Sequence, residues 1–236
     1  MLLSGAFCLL LAGLFFTACD NTDYFPEGYS EIVTIEPVAR NQYILRHDNG
    51  TEFYPVSGCP VERDERFRGI AWYMPVGDSI KGHSNPVVVY QITPILTKAP
   101  AVLDRATRDS LGSDPIRLID YYIADDYLNI QFALGSAPGS VHFLNLARND
   151  TIGKPDYYEL THNGFKMDGP LCTWFVAFDL REIKATHSCP YEFTVKACDQ
   201  DGQPKEFRIV YDWEKPAGKS LPVADKSNNH LIMEIR

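Results

Sequence analysis

The chain has 236 residues, 45% hydrophobic and 22% charged, the make-up of a folded globular protein with room for two small cores. Its formal net charge is −9, and residues 1–18 contribute none of it. An acidic surface repels phosphate backbones and anionic headgroups, which argues against nucleic acid as a partner. From Gly5 to Phe16 the sequence is apolar and uncharged. That run has the length of a signal-peptide core and falls short of the ~20 residues a bilayer span needs.

The run ends Phe16-Thr17-Ala18-Cys19, then turns acidic at Asp20. A cysteine after a small residue at this junction resembles a bacterial lipobox, in which the thiol is acylated and becomes the new N-terminus. Phe16 replaces the usual aliphatic residue, and no Lys or Arg precedes the apolar core. Several acyl chains on Cys19 would hold the protein firmly at a membrane, since each buried CH₂ adds about 0.8 kcal/mol. Residues 1–18 are expected as signal peptide and residues 19–29, polar and Pro/Gly-containing, as a tether.

Strand patterns follow. Glu31–Glu36, Gln42–Arg46 and Thr51–Val56 are β-rich, and Asp48-Asn49-Gly50 between the last two is a hairpin turn signal, because Asn and Gly tolerate positive φ. A charged loop from Gly58 to Arg68 leads to Gly69–Met74, Ser79–Lys81 and the run Val87–Leu96. The first half of that run is apolar on both faces; Pro94 cannot donate to a ladder, so the second half belongs at an edge or bulge. Five or so strands in residues 30–98 imply a small OB-like barrel. Residues 99–114 carry linker chemistry, with a short helical stretch open within 101–111. Residues 115–236 return to β texture: Ile116–Ile123, Tyr127–Leu134, Ser140–Ala147, Trp174–Leu180, Tyr191–Ala197, Phe207–Tyr211 and Leu231–Ile235. Seven strands separated by turn residues imply an antiparallel β-sandwich, so the fold class is all-β.

With the segments YSEIVTIEP, NQYILRHDNGTEFYP, VGDSIKG and YYIADDYLNIQFAL behind a lipobox cysteine, the chain resembles the NigD-like lipoproteins of Bacteroidetes. The resemblance implies an OB-like N-terminal domain joined to a C-terminal β-sandwich, and a link to bacteriocin-associated operons and immunity. It brings no active-site residues with it.

The residues themselves offer little catalytic chemistry. His47, His83, His142, His162, His187 and His230 lack zinc spacing, and no nucleophile elbow, P-loop or dinucleotide glycine pattern occurs. No metal or cofactor is expected. Asp199-Gln200-Asp201-Gly202 begins like a calcium loop but lacks the later ligands, so a hairpin turn is expected there. Asp125-Asp126 and Glu62/Asp64/Glu65 are the carboxylates that could pair as acid and base in a glycosidase. Thirteen Tyr, thirteen Phe and three Trp are many for this length. Trp72-Tyr73, Tyr121-Tyr122 and Tyr157-Tyr158 are neighbours that point to opposite strand faces, which would leave one of each exposed, with Trp213 beside them as a further surface aromatic. Cys172 and Cys198 are expected to lie on opposite faces of their strands and so not to bridge, other pairings of Cys59 and Cys189 remaining open. Asp-Ser/Thr-hydrophobic triplets, a form of O-glycosylation site in that phylum, place candidates at Ser79, Ser110 and Thr151, Ser110 being the most exposed by its linker position. The expectation is a lipid-anchored envelope protein, at the outer membrane, that works by binding a protein partner without catalysis. A surface module that binds or processes glycans is the alternative.

Overall fold

The computed structural model describes residues 28–77, 79–80, 83–104, 106–154, 156–165, 169–215 and 234–235. The first half contributes β1 (Tyr29–Ala39), β2 (Gln42–Arg46), β3 (Glu52–Gly58), β4 (Phe67–Pro75), β5 (Ser79–Ile80), β6 (His83–Ser84) and β7 (Pro86–Pro94). The second contributes β8 (Leu96–Lys98), β9 (Ala101–Leu103), α1 (Arg108–Leu111), β10 (Arg117–Ala124), β11 (Tyr127–Gly135), β12 (Val141–Asn149) and β13 (Tyr157–Asn163). It continues with β14 (Leu171–Asp179), α2 (Arg181–Thr186), β15 (Tyr191–Cys198), β16 (Pro204–Tyr211) and β17 (Glu234–Ile235). No described helix is long and apolar enough to cross a membrane.

Strands β1, β2, β3, β7 and β4 close into a barrel in that order. Alternation along each strand fills it: Val33, Ile35, Leu45, Ala71, Val87 and Val89 point inward and are buried. Each Val, Ile or Leu among them contributes about 1.5–3 kcal/mol on full burial. At Gly69 an added Cβ would lie 2.7 Å from Ile35 Cδ1, so the Ile35 side chain packs directly over the glycine. The ladder between β4 and β7 slips at Tyr90, and β7 ends at Pro94, opposite Gly69.

The chain then changes layers. Strand β8 runs parallel to β14, completing a sheet of order β10-β11-β14-β8. The facing sheet has the order β16-β15-β13-β12-β17, with β9 also beside β12. Their inner faces interdigitate through Leu128, Ile130, Phe132, Leu144, Leu146, Val176, Phe178, Phe193 and Val195. The chain is thus all-β, a closed barrel joined to a sandwich. Residues 99–114, expected as a linker, are corrected in part: Ala101–Leu103 pair with Ala147–Asn149, and Leu103 is buried. Asn163 then donates a side-chain hydrogen bond to the Ser110 carbonyl at 3.2 Å, tying α1 to β13. The polar texture marks only the turn and helix, and the three-residue strand was too short to stand out.

The barrel docks on the outer face of the first sheet. Along β1 and β4, Ile32 and Ile70 alternate outward and meet Tyr127, Phe175 and Ala177 of β11 and β14. The middle of β1, Ile32–Ile35, and most of β11 are therefore buried on both faces. The expected strands Ser79–Lys81 and Leu231–Ile235 fall partly outside the described residues.

Cys59, Cys172, Cys189 and Cys198 are free thiols. Cys172 and Cys198 do not bridge, but strand phase within a neighbouring pair is the wrong reason. Strands β14 and β15 belong to different sheets of the sandwich, separated by α2.

Candidate functional site

The seam between barrel and sandwich centres on Arg68. Its neighbours in β4, Phe67 and Gly69, occupy the opposite phase, so the guanidinium is driven into the seam, where it is fully buried. Nη2 lies 2.6 Å from Asp48 Oδ1 in an ion pair whose carboxylate side chain is 4% exposed. Nε donates to Asn129 Oδ1 at 3.0 Å, Nη1 to Thr34 Oγ1 at 3.1 Å and Nη2 to the Tyr122 hydroxyl at 3.4 Å. One side chain thus joins the β2–β3 turn, β1, β10 and β11. Burial pushes the Asp48 carboxyl above its ordinary range, with Arg68 and the Tyr122 hydroxyl drawing it part of the way back. Nothing in the sequence pattern flagged Arg68; a cation embedded in the run Phe67–Tyr73 was the available signal. Asp48 was legible only as a turn residue.

Asp125 and Asp126 form the two-residue turn between β10 and β11, both with positive φ (47° and 66°). Their carboxylates are stitches between layers. Arg66 Nη2 donates to Asp125 Oδ2 at 2.7 Å and to the Asp125 carbonyl at 3.0 Å, fastening the barrel loop to the sandwich. Asp126 Oδ1 accepts from the Tyr211 hydroxyl at 2.6 Å and from Lys184 Nζ at 2.9 Å, fastening the first sheet to the second and to α2. Burial raises the Asp126 carboxyl, yet the Tyr211 and Lys184 donors outweigh it and hold the group below the usual range. Glu62, Asp64 and Glu65 are exposed on the barrel loop, while Asp125 and Asp126 are each held by a cation.

Above the seam lies a cleft of about 520 Å³. One wall is the His47–Gly50 turn, a second the end of β10 with the Asp125-Asp126 turn, a third the end of β16 running on to Trp213 and Lys215. Three of the aromatics singled out in the sequence, Tyr121, Tyr122 and Trp213, converge here. The Tyr157-Tyr158 pair does not: both rings are buried, because Tyr157 lies under Lys154 and Glu206 while Tyr158 packs on Phe193. Tyr73 is buried as well, and Trp72 packs tilted against Tyr90 with the ring centroids 4.9 Å apart. In the cleft wall, His47 contacts Glu31 through Nδ1 at 2.9 Å and Tyr73 through Nε2 at 3.0 Å. His142 and His162 are buried in a chain running from Ser136 through Ser140 to the Pro115 carbonyl, with 3.0 Å between the rings. Since a carbonyl only accepts, His162 Nδ1 carries a proton and the polarity of the chain is fixed through to Ser140. Asp199–Gly202 is the expected hairpin turn, with Gly202 N–H donating to the Asp199 carbonyl at 2.8 Å.

Cys19 lies outside the described residues, as do Asp78 and the side chains of Ser79 and Thr151. Ser110 is exposed in α1 and donates to the Thr107 carbonyl at 2.8 Å. Among the described residues no group of three His, Cys, Asp or Glu is placed to hold a metal ion.

Known proteins place this architecture. A toxin-related protein from Parabacteroides distasonis superposes with a TM-score of 0.68 at 26% identity, covering 79% of this chain and 94% of that one. A NigD-like immunity protein from Bacteroides caccae gives 0.60 at 19% identity, with 80% and 100% covered. A protein described as a lipoprotein from Bacteroides fragilis gives 0.57 at 12%, again with 80% and 100% covered. No curated protein matches the sequence. Residues 99–211 match the model of the NigD-like C-terminal beta sandwich domain, and with β8–β16 arranged as two packed sheets the second half of this chain belongs to that family.

Proposed function

We propose that the protein is a lipid-anchored factor of the cell envelope that holds a macromolecular partner in the cleft between barrel and sandwich and turns over no substrate. The observation that carries this reading is the engagement of the cleft's carboxylates. Asp48 pairs with Arg68, Asp125 with Arg66, Asp126 with Tyr211 and Lys184, and Asp212 with Lys215. A hydrolase needs one activated group held by a second and open to substrate, whereas these groups are spent on architecture. Aromatic rings with polar tips, such as Tyr121 and Trp213, suit contact with a partner instead.

The relatives support an immunity-type accessory role, since one is described as a NigD-like immunity protein and another as toxin related. Residues 1–18 would be removed, Cys19 acylated, and residues 19–29 would tether the folded part at the outer membrane. Exposed Ser110 is the first candidate for O-glycosylation, and an intact mass of polypeptide plus lipid alone would remove it. The function is tested by replacing Asp125, Asp126 and Asp212 singly with Asn in cells. Partner capture should survive each change that leaves the protein folded; loss of a measurable glycan hydrolysis in any of them would give the site to the glycan-processing alternative.

A further inference from the structure

Among the described residues, strand β10 stands at the edge of the first sheet. It is protected along only half its length. At its start the register shifts around Ile119, a bulge between Leu118 and Asp120 with Arg117 just before it, and such bulges and charges are how sheet edges resist pairing. From Tyr121 to Ala124 the strand is regular, and this half lines the cleft.

Backbone parity shows which groups face the opening. A two-residue turn makes the flanking pair, Ala124 and Tyr127, a hydrogen-bonded pair. Tyr122 opposite Asn129 is the next hydrogen-bonded pair, so Tyr121 and Ile123 turn their N–H and C=O away from β11. The Tyr121 N–H is satisfied by its neighbour, donating to Asp120 Oδ1 at 2.8 Å, as an outward direction requires. The Ile123 N–H and the carbonyls of Tyr121 and Ile123 are left facing the cleft.

The mouth presents its cations Arg208 and Lys215 as the more exposed partners of their ion pairs. Its carboxylates are withdrawn: the side chains of Asp125, Asp126 and Asp212 are 15%, 20% and 17% exposed, each held by a cation. The cations stand out, with Arg208 68% and Lys215 79% exposed, their ion pairs to Glu192 and Asp212 being of the solvent-screened kind that a ligand can exchange at little cost.

Resting on the partner-binding reading above, we propose that the cleft-side half of β10 takes up an extended, acidic peptide segment of the partner as an added strand. Ile123 supplies the donor and Tyr121 and Ile123 the acceptors, while Arg208 and Lys215 meet carboxylates on the segment. Pairing through the main chain gives affinity and the alternate side chains give specificity.

The probe is a pool of blocked octapeptides with glutamate at alternate positions and random residues between, selected on the folded protein. Binders should emerge, and the selected peptide should slow hydrogen exchange at the Ile123 amide. Ile123→Pro removes the outward N–H together with the Ile123 side-chain packing and leaves the ladder to β11 intact, a change an edge strand tolerates. It should weaken the peptide about tenfold or more, the effect of one backbone hydrogen bond. Ile123→Ala keeps the N–H and loses the same packing, and should stay within about threefold. The Arg208→Ala/Lys215→Ala pair should weaken binding and flatten its dependence on salt. A pool without binders, unchanged exchange at Ile123, or equal affinity for the proline variant would each overturn strand addition. So would preferential uptake of a polyanionic oligosaccharide insensitive to Ile123→Pro. If a native partner is captured at the cleft while every one of these peptide results is negative, strand addition fails and the binding function stands.

Discussion

Removing the Arg68 guanidinium without losing its bulk, as in Arg68→Met, strands the Asp48 carboxylate in a seam where its side chain is 4% exposed. Asn129 and Thr34 lose a donor at the same moment. Breaking a buried pair from one side costs about 3–5 kcal/mol, because the remaining charge keeps its desolvation penalty and loses its compensation. For a chain of this size each kcal/mol lowers the melting temperature by about 2–4 °C, so a fall of about 6–20 °C is expected. Adding Asp48→Ala should return much of the loss, since the stranded charge goes with it. The pH dependence follows from burial already holding the Asp48 carboxyl high, which the loss of Arg68 would intensify. An acid whose folded pKa is raised gains stability as pH falls toward that value, so the deficit of Arg68→Met should shrink between neutral and mildly acidic pH. Urea titration at several pH values measures all three quantities. A loss below about 1 kcal/mol, the scale of an exposed pair, or a double variant weaker than the single, would refute the hub.

Other consequences are open to direct measurement. Burial lowers the imidazoles of both His142 and His162, so the stability they contribute is present above about pH 6.5 and is lost as pH falls from there through their lower folded values. Each can contribute up to about 1.4 kcal/mol per pH unit, and His162→Gln should reduce the slope; an unchanged slope would remove the pair from the acid response. Non-reducing peptide mapping of the folded protein should recover Cys59, Cys172, Cys189 and Cys198 as alkylated thiols, and a Cys172–Cys198 link would contradict the assignment of their strands to separate sheets. Cys19→Ala should abolish palmitate incorporation and leave precursor or a soluble form; equal labelling of wild type and variant would remove Cys19 as the anchor.

The strands were legible where β-rich runs or period-2 alternation extended for five residues or more, as in Gln42–Arg46 and Tyr191–Ala197 respectively, and both layers of the architecture followed from them. Three features were not. Strands β8 and β9 are three residues each and take their identity from partners 46 to 80 positions away, which no local pattern encodes. Strand β13, Tyr157–Asn163, is buried on both faces yet holds Glu159, Thr161 and His162, whose polarity hides the run because their partners are distant. The cleft was half visible: Tyr121, Tyr122, Asp125, Asp126 and Trp213 were noticed one by one. Their convergence depends on the docking of barrel on sandwich through Arg66 and Arg68, two arginines within one charged stretch of sequence.

A photoreactive amino acid in place of Trp213, at the mouth of the cleft, offers the most direct test of binding there without turnover. The control position is Val38, 57% exposed on the barrel. In native envelopes, irradiation should give one discrete protein adduct from position 213 and none from position 38, and the adduct should persist in the folded Asp125→Asn and Asp126→Asn variants. Equal labelling from both positions, no protein adduct at all, or an adduct lost together with a hydrolytic activity when either aspartate is changed, would contradict a non-catalytic binding cleft.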